Sequence, residues 1–140
     1  MNKPNYPALG AIATALLFTA LPWIGVENVN LQGGKEQIIN SISLSGYQSI
    51  GGLIGIPVCL IGAYLAYKGE KIGALAGFVN LGLALLHILD KIGFQPQSSG
   101  FIEMRVLHLT GLYAFAGASL VFSLLCLINF GSFSQEKNHS

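Results

Sequence analysis

The sequence predicts an all-α membrane protein: a bundle of four transmembrane helices, with a short extracytoplasmic β-hairpin between the first helix and the second. Three observations carry that expectation. Of the 140 residues only 9% are charged and 52% are hydrophobic, against roughly 25% charged in an ordinary soluble domain, which is too little charge for a water-facing surface. The apolar residues gather in four runs, each close to the about 20 residues that a helix needs to cross roughly 30 Å of hydrocarbon. The segments between the runs are short and polar, so consecutive spans should return antiparallel. One transmembrane domain, residues 1–131, takes up nearly the whole chain, with spans at about 8–26, 50–67, 72–89 and 106–130; the polar tail 132–140 is expected to be disordered.

The first run has no charged residue from Pro4 to Val26. Lys3 is a minimal positive flank for a signal peptide, no small-residue cleavage pattern follows, and Pro22-Trp23-Ile24 prolongs the apolar stretch, so the segment reads as a retained first span. Trp23 is then expected at headgroup level, its ring in lipid and its N–H in contact with water. From Val26 to Tyr47 the helical period disappears. Gly33-Gly34 signals a turn, and Ser41-Ile42-Ser43-Leu44-Ser45 alternates as a half-buried strand does, with Trp23 to Val29 available as the other strand of a hairpin.

The second span follows Ser45 or Ser49, either of which suits a helix N-cap, and Pro57 within it predicts a kink. Tyr67-Lys68-Gly69-Glu70-Lys71 is a tight polar turn into the third span, which ends at Asp90-Lys91 ahead of a Gly-, Pro- and Ser-rich loop. The fourth span is the longest apolar run. Counting Lys3, Lys68, Lys71 and Lys137 on one side against Lys35, Lys91 and Arg105 on the other, the positive-inside rule places both termini in the cytoplasm and the hairpin outside.

The third span carries the clearest pattern. Gly73, Gly77, Asn80, Ala84 and His87 recur at steps of three and four and share one helix face, the second span offers Gly51, Gly55, Val58 and Gly62, and the fourth offers Gly111, Ala114 and Ala118. Small residues let helix backbones approach closely, so these faces should form helix interfaces. An amide in hydrocarbon needs a partner, and Tyr64 or Tyr113 would give Asn80 an interhelical hydrogen bond worth about 0.6 kcal/mol.

Composition excludes several functions. The formal net charge is +1 with scattered cations, which offers no surface for nucleic acid. Cys59 and Cys126 lie within apolar runs and read as small buried hydrophobes rather than as disulfide or metal-motif cysteines. Every Asp and Glu is in a loop or near a span end, which argues against a proton or ion path through the membrane. There is no G-x-S-x-G elbow and no phosphate-binding glycine loop, so no enzyme is indicated.

One ionisable cluster remains. His87 and His108 should meet at the same membrane face near Asp90, Glu103 and Arg105. Two histidines on neighbouring helices can ligate haem or a metal, with carboxylates completing the site, although no H-E-x-x-H, C-x-x-C-H or E-x-x-H spacing accompanies them; otherwise they are interfacial polar residues bonded to water, headgroups and each other.

The order span, hairpin-like loop opening on Trp23, span, short turn, span, loop, span resembles the tetraspan layout of claudins and the peripheral-myelin-protein relatives. The loop signature of those proteins, a Gly-Leu-Trp unit followed by two cysteines, is missing between Val26 and Tyr47. Leu21-Pro22-Trp23 at the end of the first span is similar to a unit found in small bacterial four-span proteins, a resemblance that implies a bacterial plasma membrane and no particular activity. The expectation is thus a non-enzymatic structural or interaction component that associates with itself or a larger membrane complex, with the lipid bilayer as its solvent and no cofactor. The alternatives are a haem- or metal-binding redox subunit using His87 and His108, and a small oligomeric transporter or channel.

Overall fold

The computed structural model describes residues 3–93 and 96–139, with side chains as far as Ile128. The first helix, α1 (Tyr6–Phe18), opens on Asn5, whose side-chain oxygen accepts from the Ala8 N–H at 3.1 Å and whose amide donates to the Leu125 carbonyl. Pro7 follows in the first turn, where its missing N–H costs nothing. Helix α1 ends at Phe18, well short of Val26.

Residues 22–26, expected at the end of the first span, instead begin strand β1 (Pro22–Asn30). It pairs antiparallel with β2 (Gln37–Ser45) across a 3-10 turn, Gln32–Gly34, whose Gly33 and Gly34 adopt left-handed φ of 80° and 74° that side-chain-bearing residues rarely take. A second pair of strands comes from the loop between the third and fourth apolar runs: β3 (Gln97–Ser99) and β4 (Ile102–His108). Strand β4 pairs with β1 from Ile24 opposite His108 to Asn30 opposite Ile102, giving one antiparallel sheet in the order β2-β1-β4-β3.

This sheet overturns the all-α fold class. A hairpin between the first two helices is only half of it, because residues 97–108 supply the other half and Val106–His108, expected within the fourth span, are strand. The physical reason lies in pairing. With β1 buried in the middle of the sheet, each side of its backbone needs a hydrogen-bonding neighbour, and β2 satisfies only one of them.

Three further helices follow: α2 (Ile50–Tyr67), α3 (Ala74–Ile88) and α4 (Thr110–His139). The turn from α2 to α3 uses Gly69 at φ 70° and a 3-10 segment, Lys71–Gly73. Three helical segments are long and apolar enough to cross a membrane: Ile50–Tyr67, Lys71–Ile88 and Thr110–Ile128. Helix α1, with 13 residues, is shorter, about 20 Å. Its two ends are nonetheless tied to the two ends of α2. The Asn5 N–H donates to the Ala66 carbonyl at one end, and the Tyr47 N–H donates to the Thr19 carbonyl at the other. The expected tail at 132–140 falls outside the residues whose side chains are described.

The helices form a ring in which α1 packs on α2 and α4, and α3 packs on the same two. All junctions with the sheet lie at one end of this ring, while the α2–α3 turn and the start of α1 lie at the other. The small residues singled out on the spans are spent inside it. A Cβ on Gly62 would stand 3.0 Å from that of Ala76, one on Gly73 would stand 3.2 Å from that of Leu65, and one on Gly55 would stand 3.2 Å from the Phe115 ring. Ala84 is fully buried. A side chain on Gly77 would collide with the Ser123 hydroxyl and the Ser119 carbonyl, whereas Gly82 on the same helix faces open space.

Gly77→Val is therefore expected to destabilise the fold by about 1–3 kcal/mol, as overpacking of a closed interface does. Gly82→Val should stay within about 0.5 kcal/mol of the parent. Denaturant titration of both variants in mild detergent, followed by circular dichroism, checks the pair.

Candidate functional site

The sheet meets the helices through Trp23. Its indole is fully buried, its N–H donates to the Phe18 carbonyl at 2.9 Å, and its ring lies 4.6 Å from Phe115 and edge-on to His87 at 6.2 Å between centroids. This corrects the headgroup placement: a backbone carbonyl, not water, satisfies the indole. Gly46 and Gly111 leave the space it needs, since a Cβ on Gly46 would run into the indole and one on Gly111 would sit 2.5 Å from the Pro22 carbonyl.

His87 stands in the last turn of α3, one residue before its end, and is 1% exposed. Its Nε2 accepts from the backbone N–H of Gly51, in the first turn of α2, at 2.9 Å. Helix first turns leave N–H groups without intrahelical partners, and here an imidazole satisfies one of them. Only glycine fits at 51, because a Cβ there would lie 2.5 Å from the imidazole. A backbone N–H can only donate, so Nε2 is the unprotonated nitrogen, and the neutral ring carries its proton on Nδ1. That Nδ1–H is buried and has no partner among the described residues. It faces Gly93, on the wall of a cavity of about 260 Å³ that is also lined by Ile24, Leu44, Gln48, Ser49 and Ile50.

The other members of the expected cluster lie nearby but in separate pairs. His108 Nε2 is 3.0 Å from an Asp90 carboxylate oxygen. Asp90 takes a left-handed φ of 57° just past the end of α3, where its N–H reaches the His87 carbonyl and closes the helix. Glu103 turns to Arg105, which also holds Glu36 through two hydrogen bonds of 2.8 and 3.3 Å. Among the described residues no three or more His, Cys, Asp or Glu side chains converge as a metal site would require.

Asn80 is fully buried in the middle of the ring, as its position on the small-residue face predicts, but its partner is neither Tyr64 nor Tyr113. Both tyrosines are exposed, and the Asn80 amide donates to Cys59 Sγ at 3.2 Å. Its carbonyl oxygen and the Ser119 hydroxyl have no partner among the described residues, while Ser123 donates to the Ala74 carbonyl at 2.7 Å. The sequence reading passed over Trp23, Gly46 and Ser49 as parts of this junction. Its one available signal was Gly46 directly after a strand-like alternation, a position where a backbone can press against an aromatic ring.

No protein-family model matches this chain, and no curated protein is significantly similar to it.

Two outcomes follow from this geometry. His87→Leu removes the acceptor of a buried N–H and should cost about 1–3 kcal/mol, measured by denaturant titration, with a shift in Trp23 emission because the indole loses its edge-on neighbour. The hydrogen bonds and charge of Arg105 hold the Glu36 carboxyl below its ordinary range. Linkage then has a definite sign: the contribution of this pair is present above the unfolded-state pKa of Glu36 and is lost as pH falls through the lowered folded-state value. Amide protection in β2 and β4, corrected for the intrinsic pH dependence of exchange, should fall in acid for the parent, and Glu36→Gln should abolish that fall.

Proposed function

We propose that this chain is a multi-pass integral membrane protein acting as an interaction component rather than a catalyst, which displays its four-stranded sheet on the outer face of the cytoplasmic membrane. The observation that carries this reading is the inverted distribution of side chains. The three long helical segments have mean hydropathies of 1.6–2.1, yet no more than 44% of the residues in any of them are buried. Leu53, Leu60, Ile61, Leu75, Val79, Leu85, Val121 and Ile128 point outward, while Asn80, His87, Ser119 and Ser123 are turned inward. Water would select the reverse arrangement; hydrocarbon favours this one.

Helix α1 is read as a fourth crossing, because its ends share the depth of both ends of α2. Orientation follows from charge. The sheet end carries Lys35, Lys91 and Arg105 against four carboxylates, and the other end carries Lys3, Lys68 and Lys71 against Glu70 alone among residues 3–128. The basic end is assigned to the cytoplasm.

The association surface is the free edge of β2. Its nine residues contain no charge and no proline, and Ile38, Ile39 and Ile42 are each more than half exposed. Natural edge strands are normally guarded by charges, prolines or bulges; β2 has only a register shift at Ile39, opposite Asn28–Val29. A second copy of the chain is the occupant this edge suits, since two uncharged strands meet without repulsion and neighbouring copies in one bilayer hold their sheets at the same height.

The chain should stay in the membrane pellet after alkaline carbonate extraction. In intact cells a membrane-impermeant maleimide should label Ser41→Cys and leave Lys68→Cys unlabelled. A scan of single cysteines from Ile38 to Leu44 should trap disulfide-linked dimers at one or two positions. Extraction into the supernatant would overturn membrane insertion, and a scan without dimers would overturn the β2 interface.

A further inference from the structure

The cavity beneath β1 and β2 combines a largely apolar wall with a buried, oriented donor. We infer that it binds a carbonyl group of an uncharged, lipid-soluble molecule, held by the Nδ1–H of His87. The inference rests on the helices lying in a membrane, the reading proposed above, and adds to it a binding site and a ligand chemistry.

Four observations define what fits. His87 is 1% exposed, and its Nδ1 has no partner among the described residues. The Gly51 N–H, fixed in the first turn of α2, dictates that Nδ1 bears the proton, so the site presents a donor and calls for an acceptor. The remaining polar groups on the wall are largely committed: Ser49 Oγ donates to the Gly46 carbonyl at 2.7 Å, and Gln48 Oε1 accepts from the Ser45 N–H at 2.9 Å. Ile24, Leu44 and Ile50 supply most of the remaining surface, and no Lys, Arg, Asp or Glu among the described residues lines the cavity.

An anion would lose its hydration here with no cation to meet it, which disfavours a carboxylate or phosphate. A water molecule needs two to four polar partners, and beside the N–H this wall offers only the Gln48 NH2 and the Ser49 Oγ lone pairs among the described residues. A carbonyl oxygen on an apolar body satisfies the donor and covers the aliphatic wall. The volume of about 260 Å³ admits a ring or an ester unit rather than a whole lipid. Ile50, about half exposed at the start of α2, places the cavity where a spanning helix begins, near the depth of lipid ester carbonyls. Two sources share this chemistry: the acyl ester of a bilayer lipid, and the ring carbonyl of a benzoquinone with an alkyl tail.

The test uses the full chain in nanodiscs of ester-linked phosphatidylcholine and in discs of the ether-linked analogue, which has no carbonyl. The readout is the exchange rate of the His87 Nδ1 proton by 15N-imidazole NMR. A decyl-substituted benzoquinone is then titrated into both discs and into detergent micelles, followed by quenching of Trp23, the one tryptophan in the chain.

Exchange at least tenfold slower in ester than in ether discs identifies the lipid ester. Equal exchange in the two discs, with saturable quenching and slowed exchange on adding the benzoquinone, identifies the quinone-type carbonyl. Leu44→Phe fills the cavity without touching the Gly51–His87 bond, and it should weaken whichever effect is seen at least tenfold. A proton that exchanges equally fast in ester discs, ether discs and with benzoquinone means water fills the site and overturns the inference, as does a Leu44→Phe variant that behaves like the parent. The micelle titration keeps this outcome separate from a failure of the chain to insert into membranes.

Discussion

Everything in this molecule depends on how the chain passes between helix and sheet without stranding a polar backbone group, and Trp23 is where that problem is solved. Four chain segments pass between helix and sheet at one end of the ring. At each passage the helical hydrogen-bond pattern stops and the ladder pattern has not yet begun. Trp23 bridges the gap from both its backbone and its side chain. Its carbonyl accepts from the Leu109 N–H at 2.7 Å just before α4 starts, and its indole donates to the Phe18 carbonyl at the end of α1, which also accepts from the Leu21 N–H. His87 does the same for the first turn of α2. The sheet and the helices are thus one hydrogen-bonded structure rather than a bundle with an appendage.

Much of the helical part is legible in the sequence because apolar runs of this length follow a simple rule. Long uncharged runs become helices, and small residues repeating at three and four become their contact faces; Gly62, Gly73, Gly77 and Ala84 all lie where that rule puts them. The sheet is harder to read. A short apolar run such as Leu21 to Val26 has the same composition whether it continues a helix or starts a buried strand, and periodicity cannot separate the two. Strand β4 did carry a signal. Ile102-Glu103-Met104-Arg105-Val106 alternates strictly, but Glu103 and Arg105 drew attention as ionisable groups, and Val106 was absorbed into the hydrophobic run behind it. The partner of Asn80 was beyond reach for another reason: a thiol is a weak acceptor, and only the helix rotation that presents Cys59 to the amide makes it the available one.

The placement of the glycines also bears on association. Small-residue faces in membrane helices are commonly read as contacts between chains, yet here Gly51, Gly55, Gly62, Gly73, Gly77 and Gly111 are all consumed by contacts within the chain. What remains on the outside of the helices is bulky and aliphatic, suited to lipid. The polar face of the sheet is likewise occupied by its own Arg105, Glu36 and Glu103 bonds. The sheet's longer outer edge, the uncharged β2, has no strand beside it among the described residues.

The pairing of β1 with β4 has a consequence for biogenesis. β1 leaves the ribosome soon after α1, but its partner emerges only after α2 and α3 have been made, so the central strand must wait with one edge open while two helices are completed. Closure of such a distant pair is slow, and an open strand invites wrong partners. The indole of Trp23 can seat fully only when Leu109 and Phe115 arrive, which makes its burial a marker of the last stage of synthesis. A stalled nascent chain truncated before Ile102 would keep its first three helices and leave its tryptophan in the open.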